Sequence, residues 1–372
     1  MQRMKLYYLS TASFSQVDVG VLDLLAGKCD IHYSVVIQNK NTNFTSEELQ
    51  DYCARNGVAY QAFLLKYRFR DIRIASIFYS IIRDIREKNP DVIYIASFDH
   101  PIFALLSGLL DRKKVIIGLH DVEYHSNFPN AKMLGIGRKI VMSLFQTFQV
   151  FSKSQERLFR RLYPSKKVYA IPLPLSDYGD GQRTAARDGG VRFLFFGNIL
   201  PYKGLDVLLN AVNGLSKTRR DFTLTIAGRC DDWSAQYEPM IGDDSVIEKK
   251  IGFIGNDEVA PLFSGTDYLV LPYRDATQSG PLMISYNYGV PVIASRIDSF
   301  VDQVEEGISG YLFEPESPGD LQRILERVLT DHGDRYLKLS ETTRKFVSDT
   351  YSRERIASRY LSMFNEISKR KS

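Results

Sequence analysis

Short β-prone runs alternate with longer helical patterns along nearly the whole chain, and no other feature constrains the fold as strongly. In the first half, residues 6–9, 33–37, 92–96, 115–119 and 148–151 read as strands. Between them, apolar residues at spacings of three and four make 74–87 a helix, and Thr45, Ser46, Glu47 and Glu48 read as a capping box opening another. Strands that alternate with helices imply a parallel sheet covered on both faces. The pattern breaks at residues 171–181, where two prolines are followed by glycines and charges, and at the polar stretch after it. A second alternation begins at once, with strands expected at 191–196, 223–227, 251–253, 268–271, 291–294 and 311–313. The expected fold class is α/β, with two doubly wound domains facing across a cleft. The boundaries fall at 1–170, a linker at 171–187, 188–350 and a C-terminal amphipathic helix within 351–372. Open α/β sheets bind ligands outside the carboxyl ends of their strands.

The length of 372 residues suits two domains, and an average composition argues against disorder, collagen and a disulfide scaffold. Cys29, Cys53 and Cys230 show no paired spacing, which points to a reducing compartment. The first residues are not apolar enough for a signal peptide, and the longest apolar run, 101–110, is half of the roughly 20 residues a spanning helix needs. A cytoplasmic protein is expected, with peripheral attachment to the inner face of the membrane as one possibility. The net charge of +4 hides an asymmetry: residues 1–170 carry 24 Lys and Arg against 15 Asp and Glu, and the remainder 24 against 29. The first half therefore either faces something anionic or is simply a solvated basic surface. Its basic clusters lie at 66–73, 132–139 and 157–167; the first and third contain aromatic residues, but none carries a nucleic-acid-binding motif, so nucleic acid is not expected as a partner.

Three segments carry chemistry. In the first, 191–209, a strand ends at Gly197, and Asn198 and a loop lead to Lys203-Gly204 before a helix; the lysine is placed to meet a phosphate. In the second, 268–295, a strand runs into Asp275, Ala276, Thr277, Gln278, Ser279 and Gly280 before a helix whose free amides suit a diphosphate. In the third, 116–128, a strand delivers His120 and Asp121 to its carboxyl end, His125 follows in the same loop, and Asp99-His100 ends a neighbouring strand. Taken singly, each also reads as ordinary structure: a surface lysine, a helix cap, a structural histidine. No third ligand stands at metal spacing near the histidines, so no metal is expected. Gly135-Ile-Gly137-Arg138 is not a dinucleotide fingerprint, because no strand precedes it and a third glycine is missing.

Together the segments FFGNILPYKGLDVLL, LTIAG, IGFIG, LVLPYRDATQSG, YGVPVIAS and EEGISGYLF resemble the family 4 retaining glycosyltransferases of the polysaccharide-biosynthesis type. In the first half only GLHDVEYH is similar. The resemblance implies the GT-B architecture, with an acceptor-binding first domain, a nucleotide-sugar-binding second domain and a C-terminal helix crossing back to the first. It implies transfer, with retention and without a metal or other cofactor, from a nucleotide-diphosphate sugar to a saccharide acceptor, lipid-linked in surface polysaccharide synthesis. Lys203, Ser279 and Gly280 match the donor-phosphate residues, with Gly197, Asn198, Arg229, Thr277 and Gln278 beside them; His120 matches the histidine near the donor sugar. Asp99, His100, Asp121 and His125 are expected along the cleft. Three features depart from the family: its paired glutamates would fall on Ala276 or Thr277 and on Ile284 or Ser285, its arginine near the strand's end is replaced by Asn198 with Arg229 as the candidate to compensate, and its glycine-rich first loop is replaced by residues 13–20. The alternatives are a sugar-nucleotide epimerase of the same architecture and a catalytically degenerate partner subunit.

Overall fold

The alternating pattern builds two separate parallel sheets in the computed structural model, which describes residues 3–38, 44–96, 99–123, 131–181 and 190–369. The chain divides into two compact units. One comprises the residues up to Pro174 together with those from Arg353 onward; the other is Leu175–Ser352. The break falls between Pro174 and Leu175.

The first unit holds strands β1 (Lys5–Thr11), β2 (Asp30–Gln38), β3 (Ala59–Leu65), β4 (Val92–Ala96), β5 (Val115–Leu119), β6 (Thr147–Val150) and β7 (Lys167–Ala170), in the order β3-β2-β1-β4-β5-β6-β7. Its helices of seven residues or more begin with α1 (Ser15–Leu25), α2 (Ser46–Arg55), α3 (Ile74–Lys88), α4 (Pro101–Ser107), α5 (Ala131–Leu144) and α6 (Lys153–Leu162). The second unit holds β8 (Val191–Phe196), β9 (Phe222–Gly228), β10 (Ile247–Ile251), β11 (Tyr268–Leu271), β12 (Val292–Ser295) and β13 (Gly310–Phe313), in the order β10-β9-β8-β11-β12-β13. Around it lie α7 (Leu205–Leu215), α8 (Asn256–Ser264), α9 (Gly280–Asn287), α10 (Pro318–Thr330) and α11 (Asp334–Tyr351).

Central strands β4 and β5 are buried at every residue, as strands covered on both faces must be. Along α3, Ile74, Phe78, Ile81, Ile82 and Ile85 face inward. The α2 capping box forms: Thr45 Oγ1 accepts from the Glu48 amide at 3.1 Å, and Glu48 Oε2 from the Thr45 amide at 2.7 Å. The structure departs from the sequence reading at β3 and β7, which were not expected, and at β10, which lies at 247–251 rather than 251–253. All three are edge strands, where half the residues face water and the apolar signal fades.

The last helix, α12 (Arg353–Lys369), belongs to the first unit. It buries Tyr360, Met363, Phe364 and Ile367. Phe364 meets Tyr94 edge-on at 6.0 Å, Glu366 accepts the Tyr169 hydroxyl at 2.5 Å, and Arg353 pairs with Asp23. Near it lies an unusual polar core: the Asp18 carboxylate, on α1, accepts the Tyr8 and Tyr33 hydroxyls, each at 2.9 Å. Burial pushes the Asp18 carboxyl up to about 7, against the opposing effect of the Ser10, Tyr33 and Tyr8 hydroxyls.

Candidate functional site

In the second sheet, β8, β9 and β10 run to one edge and β11, β12 and β13 to the other, so the order reverses between β8 and β11. A ligand crevice is expected outside the carboxyl ends of that pair. Gly197 follows β8 with a φ of 101°, open to glycine and strained for other residues. A 3-10 turn, Pro201–Lys203, then places the lysine ammonium 2.9 Å from where a Cβ on Gly197 would stand. Lys203 is only 7% exposed. Burial alone pulls its ammonium down to about 8, and among the described residues no carboxylate pairs with it. Its Nζ lies 5.5 Å from the centroid of the Tyr273 ring, on the loop after β11. The Tyr273 hydroxyl is buried on the side of Ser279.

Ser279 caps α9, its Oγ accepting from the Leu282 amide at 3.3 Å. Gly280 opens the helix at the surface, and Thr277 and Gln278 lead into it half-buried. The four positions in register with paired glutamates supply no acid. Ile284 and Ser285 are buried in α9, and the Ser285 hydroxyl donates to the Val290 carbonyl at 2.9 Å. The crevice therefore carries a cation and a helix N-terminus with no acidic counterweight on those positions. Asn198 is exposed, and Arg229 is exposed and engaged with Asp231, its Nε 3.1 Å from the carboxylate.

In the first sheet the order reverses between β1 and β4. His120, one residue beyond β5, is clamped between two phenyl rings. Phe14, after β1, stacks on it with centroids 3.6 Å apart and planes at 5°; Phe151, after β6, lies at 4.7 Å and 28°. Burial and, secondarily, the Arg138 charge pull the imidazole down to about 3, so it is neutral at physiological pH. Arg138 on α5 is itself buried. It binds Asp99 through Nε at 3.1 Å and Nη2 at 2.6 Å, and Nη1 donates to the carbonyls of Asp121 and Val122 at 2.7 and 3.0 Å. The guanidinium thus ties the ends of β4 and β5 together.

Asp99 and His100, expected along a cleft, are both engaged within the first unit. Asp99 is committed to Arg138. His100 caps α4, its Nδ1 accepting from the Ile102 amide at 3.2 Å while Nε2 meets the Phe69 carbonyl at 2.8 Å. The ring sits edge-on between Phe69 and Phe78, so it pins the 66–73 loop and serves structure. Asp121 is half-buried, and its backbone carbonyl serves Arg138. His125 lies outside the described residues. Sequence reasoning missed Phe14, Phe151 and Arg138. No local signal marked the last, although it stands in the Gly135-Ile-Gly137-Arg138 run set aside as a failed fingerprint. Among the described residues no three His, Cys, Asp or Glu side chains cluster to hold a metal.

Residues 190–331 match the sequence family of group 1 glycosyl transferases. An uncharacterized glycosyltransferase of Methanocaldococcus jannaschii is 21% identical over 249 residues, 66% of this chain and 63% of that protein. A GDP-mannose:glycolipid 4-beta-D-mannosyltransferase of Xanthomonas campestris is 27% identical over 122 residues, 33% of this chain and 35% of that protein. The matches thus span less than two thirds of these relatives' own length. Among solved structures, Anabaena HepE in complex with UDP-glucose superimposes with a TM-score of 0.76 at 13% identity, covering 98% of this chain and 100% of that one. The fold is therefore GT-B, with two Rossmann-like units.

Proposed function

We propose that this chain, a GT-B protein whose second unit matches the group 1 glycosyltransferases, moves a sugar from a nucleoside-diphosphate sugar to a saccharide acceptor. The observation that carries the reading is Lys203: a buried ammonium without a carboxylate partner, beside Gly197 and the α9 N-terminus, at the point where the strand order reverses. Such a group is stabilised by an anion, and a diphosphate supplies one. As the nucleoside diphosphate departs, negative charge grows on its phosphate, where Lys203 and the Ser279–Gly280 amides stabilise it. Retention of configuration and independence from metal belong to the same proposal, and rest on the resemblance. His120, neutral and clamped, serves as a fixed hydrogen-bonding group for a sugar hydroxyl; it is neither nucleophile nor proton store.

Lys203→Ala is expected to weaken binding of nucleoside diphosphate and slow transfer together, by roughly ten- to hundredfold, for a charge-assisted contact of about 1.5–3 kcal/mol. Calorimetry and turnover measure the two; unchanged values would remove Lys203 from the site. Product analysis on a panel of donors separates the readings. Transfer to acceptor supports the proposal, an epimerised nucleotide sugar supports the epimerase, and silence with every donor supports a degenerate subunit.

The acceptor we propose is lipid-linked, as the glycolipid acceptor of the Xanthomonas relative suggests. Among the described residues no helix is long and apolar enough to cross a membrane. The first unit instead exposes Ile72 at 78%, Leu105 at 64% and Ile136 at 56%, alongside exposed Lys66, Arg68, Arg70, Lys132 and Lys139. Arg138, counted among these bases from the sequence, is buried and drops out. Each basic residue near an anionic bilayer contributes about 1 kcal/mol. Co-sedimentation with anionic vesicles at low salt is expected, fading at high salt and absent with neutral lipid. Protein left in the supernatant with anionic vesicles would favour a soluble acceptor.

A further inference from the structure

We propose that Arg274 is a positioning residue that holds Lys203 in place for its phosphate. This rests on the reading of Lys203 as the diphosphate ligand. Arg274 lies three residues beyond β11 and spends its guanidinium on three other segments. Nη1 donates to the Pro201 carbonyl at 2.8 Å, inside the turn that carries Lys203. Nη1 and Nη2 grip both Asp206 carboxylate oxygens, at 2.9 and 2.6 Å, in the first turn of α7. Nε meets Glu316, beyond β13, at 2.7 Å. The Arg274 amide adds a bond to the Tyr202 carbonyl at 2.7 Å, so both residues before Lys203 are anchored to the same arginine.

The turn has little freedom of its own. Gly204 has a φ of 66°, and a Cβ there would stand 2.0 Å from the Pro272 carbonyl oxygen, so the turn packs directly on the β11 loop. Lys203 reaches the crevice from a three-residue 3-10 turn without a side-chain cap. Its direction is therefore set by what grips the turn from outside, and Arg274 makes those contacts. A planar bidentate fork on Asp206 fixes orientation in a way a lysine at 274 could not. The pair is about one-third exposed, so its role is geometric rather than a large store of stability.

The test is a double-mutant cycle read by nucleoside diphosphate calorimetry on the full chain. Arg274→Ala is expected to weaken binding about tenfold when Lys203 is present and less than twofold in a Lys203→Ala background. Arg274→Lys should fall between wild type and Arg274→Ala. Asp206→Asn, which keeps the arginine but removes its charged partner, should shift binding in the same direction and lose its effect in the same background. Contacts that act through one group couple in this way; independent contributions add. Equal losses in both backgrounds, or unchanged binding in Arg274→Ala and Asp206→Asn, would overturn the proposal. Trp233 fluorescence reports whether the second unit stays folded in each variant. Wild-type protein that binds no nucleoside diphosphate would overturn the underlying reading of Lys203, and that result precedes any variant.

Discussion

Replacing Arg138 with alanine is expected to destabilise the first unit by about 3–5 kcal/mol, the usual cost of breaking a buried ion pair from one side. Both side chains are buried, at 6% and 1% exposure, so Asp99 would be left buried without its guanidinium partner, and the Asp121 and Val122 carbonyls would lose their donor. Against a typical total of about 5–15 kcal/mol, that loss approaches the folding threshold. Units of a two-domain chain unfold separately enough that one probe is insufficient. The single tryptophan, Trp233, lies in the second unit, so its fluorescence should change little while the circular dichroism transition moves to lower urea. Removing both partners, as Arg138→Leu with Asp99→Asn, should recover much of the loss, because no buried charge is then stranded. A single variant as stable as wild type would show that water reaches the pair.

Arg138 also shows where the sequence stops being legible. A lysine or arginine is read as surface by default, and only Asp99, 39 residues upstream, makes burial of this one affordable. That pairing is tertiary, and no local pattern encodes it. The same limit hid the Phe14–His120–Phe151 stack, whose rings come from the ends of β1, β5 and β6. By contrast, the placement of Gly197, Lys203 and Ser279 at a strand end, a turn and a helix start was readable, because the local signals there are strong. Buried central strands such as β4, β5, β8 and β11 were located to the residue, since a continuous apolar run has one meaning in a parallel sheet. Sheet edges lack that run.

Stability of the first unit is expected to fall as pH rises from about 4 to about 7, through Asp18. Its folded carboxyl is held up to about 7 against an ordinary value of 3.8, so the folded state keeps a proton that the unfolded state has released. The stabilisation is complete below the unfolded value and is lost as pH passes the folded one, a swing on the order of 4 kcal/mol. Asp18→Asn should flatten that slope and exceed wild type in stability at pH 8. One of Tyr8 and Tyr33 must then turn to accept from the amide, which offsets part of the gain. Urea unfolding followed by circular dichroism between pH 4.5 and 8.5 measures both curves. A wild-type profile flat across that range would mean that the tyrosine hydroxyls hold the carboxylate ionised.

The return of α12 to the first unit gives the two units different schedules during synthesis. Leu175–Ser352 is continuous, so the second unit can complete itself soon after it leaves the ribosome. The first unit emerges earlier yet waits through that whole stretch for Tyr360, Met363 and Phe364 to cover it. Until then the sheet face carrying Tyr8 and Tyr94 stands open, and Asp18 nearby lacks part of its shelter. The half of the protein made first is thus the half finished last, and the interval in which it needs protection from aggregation is set by the translation time of the other.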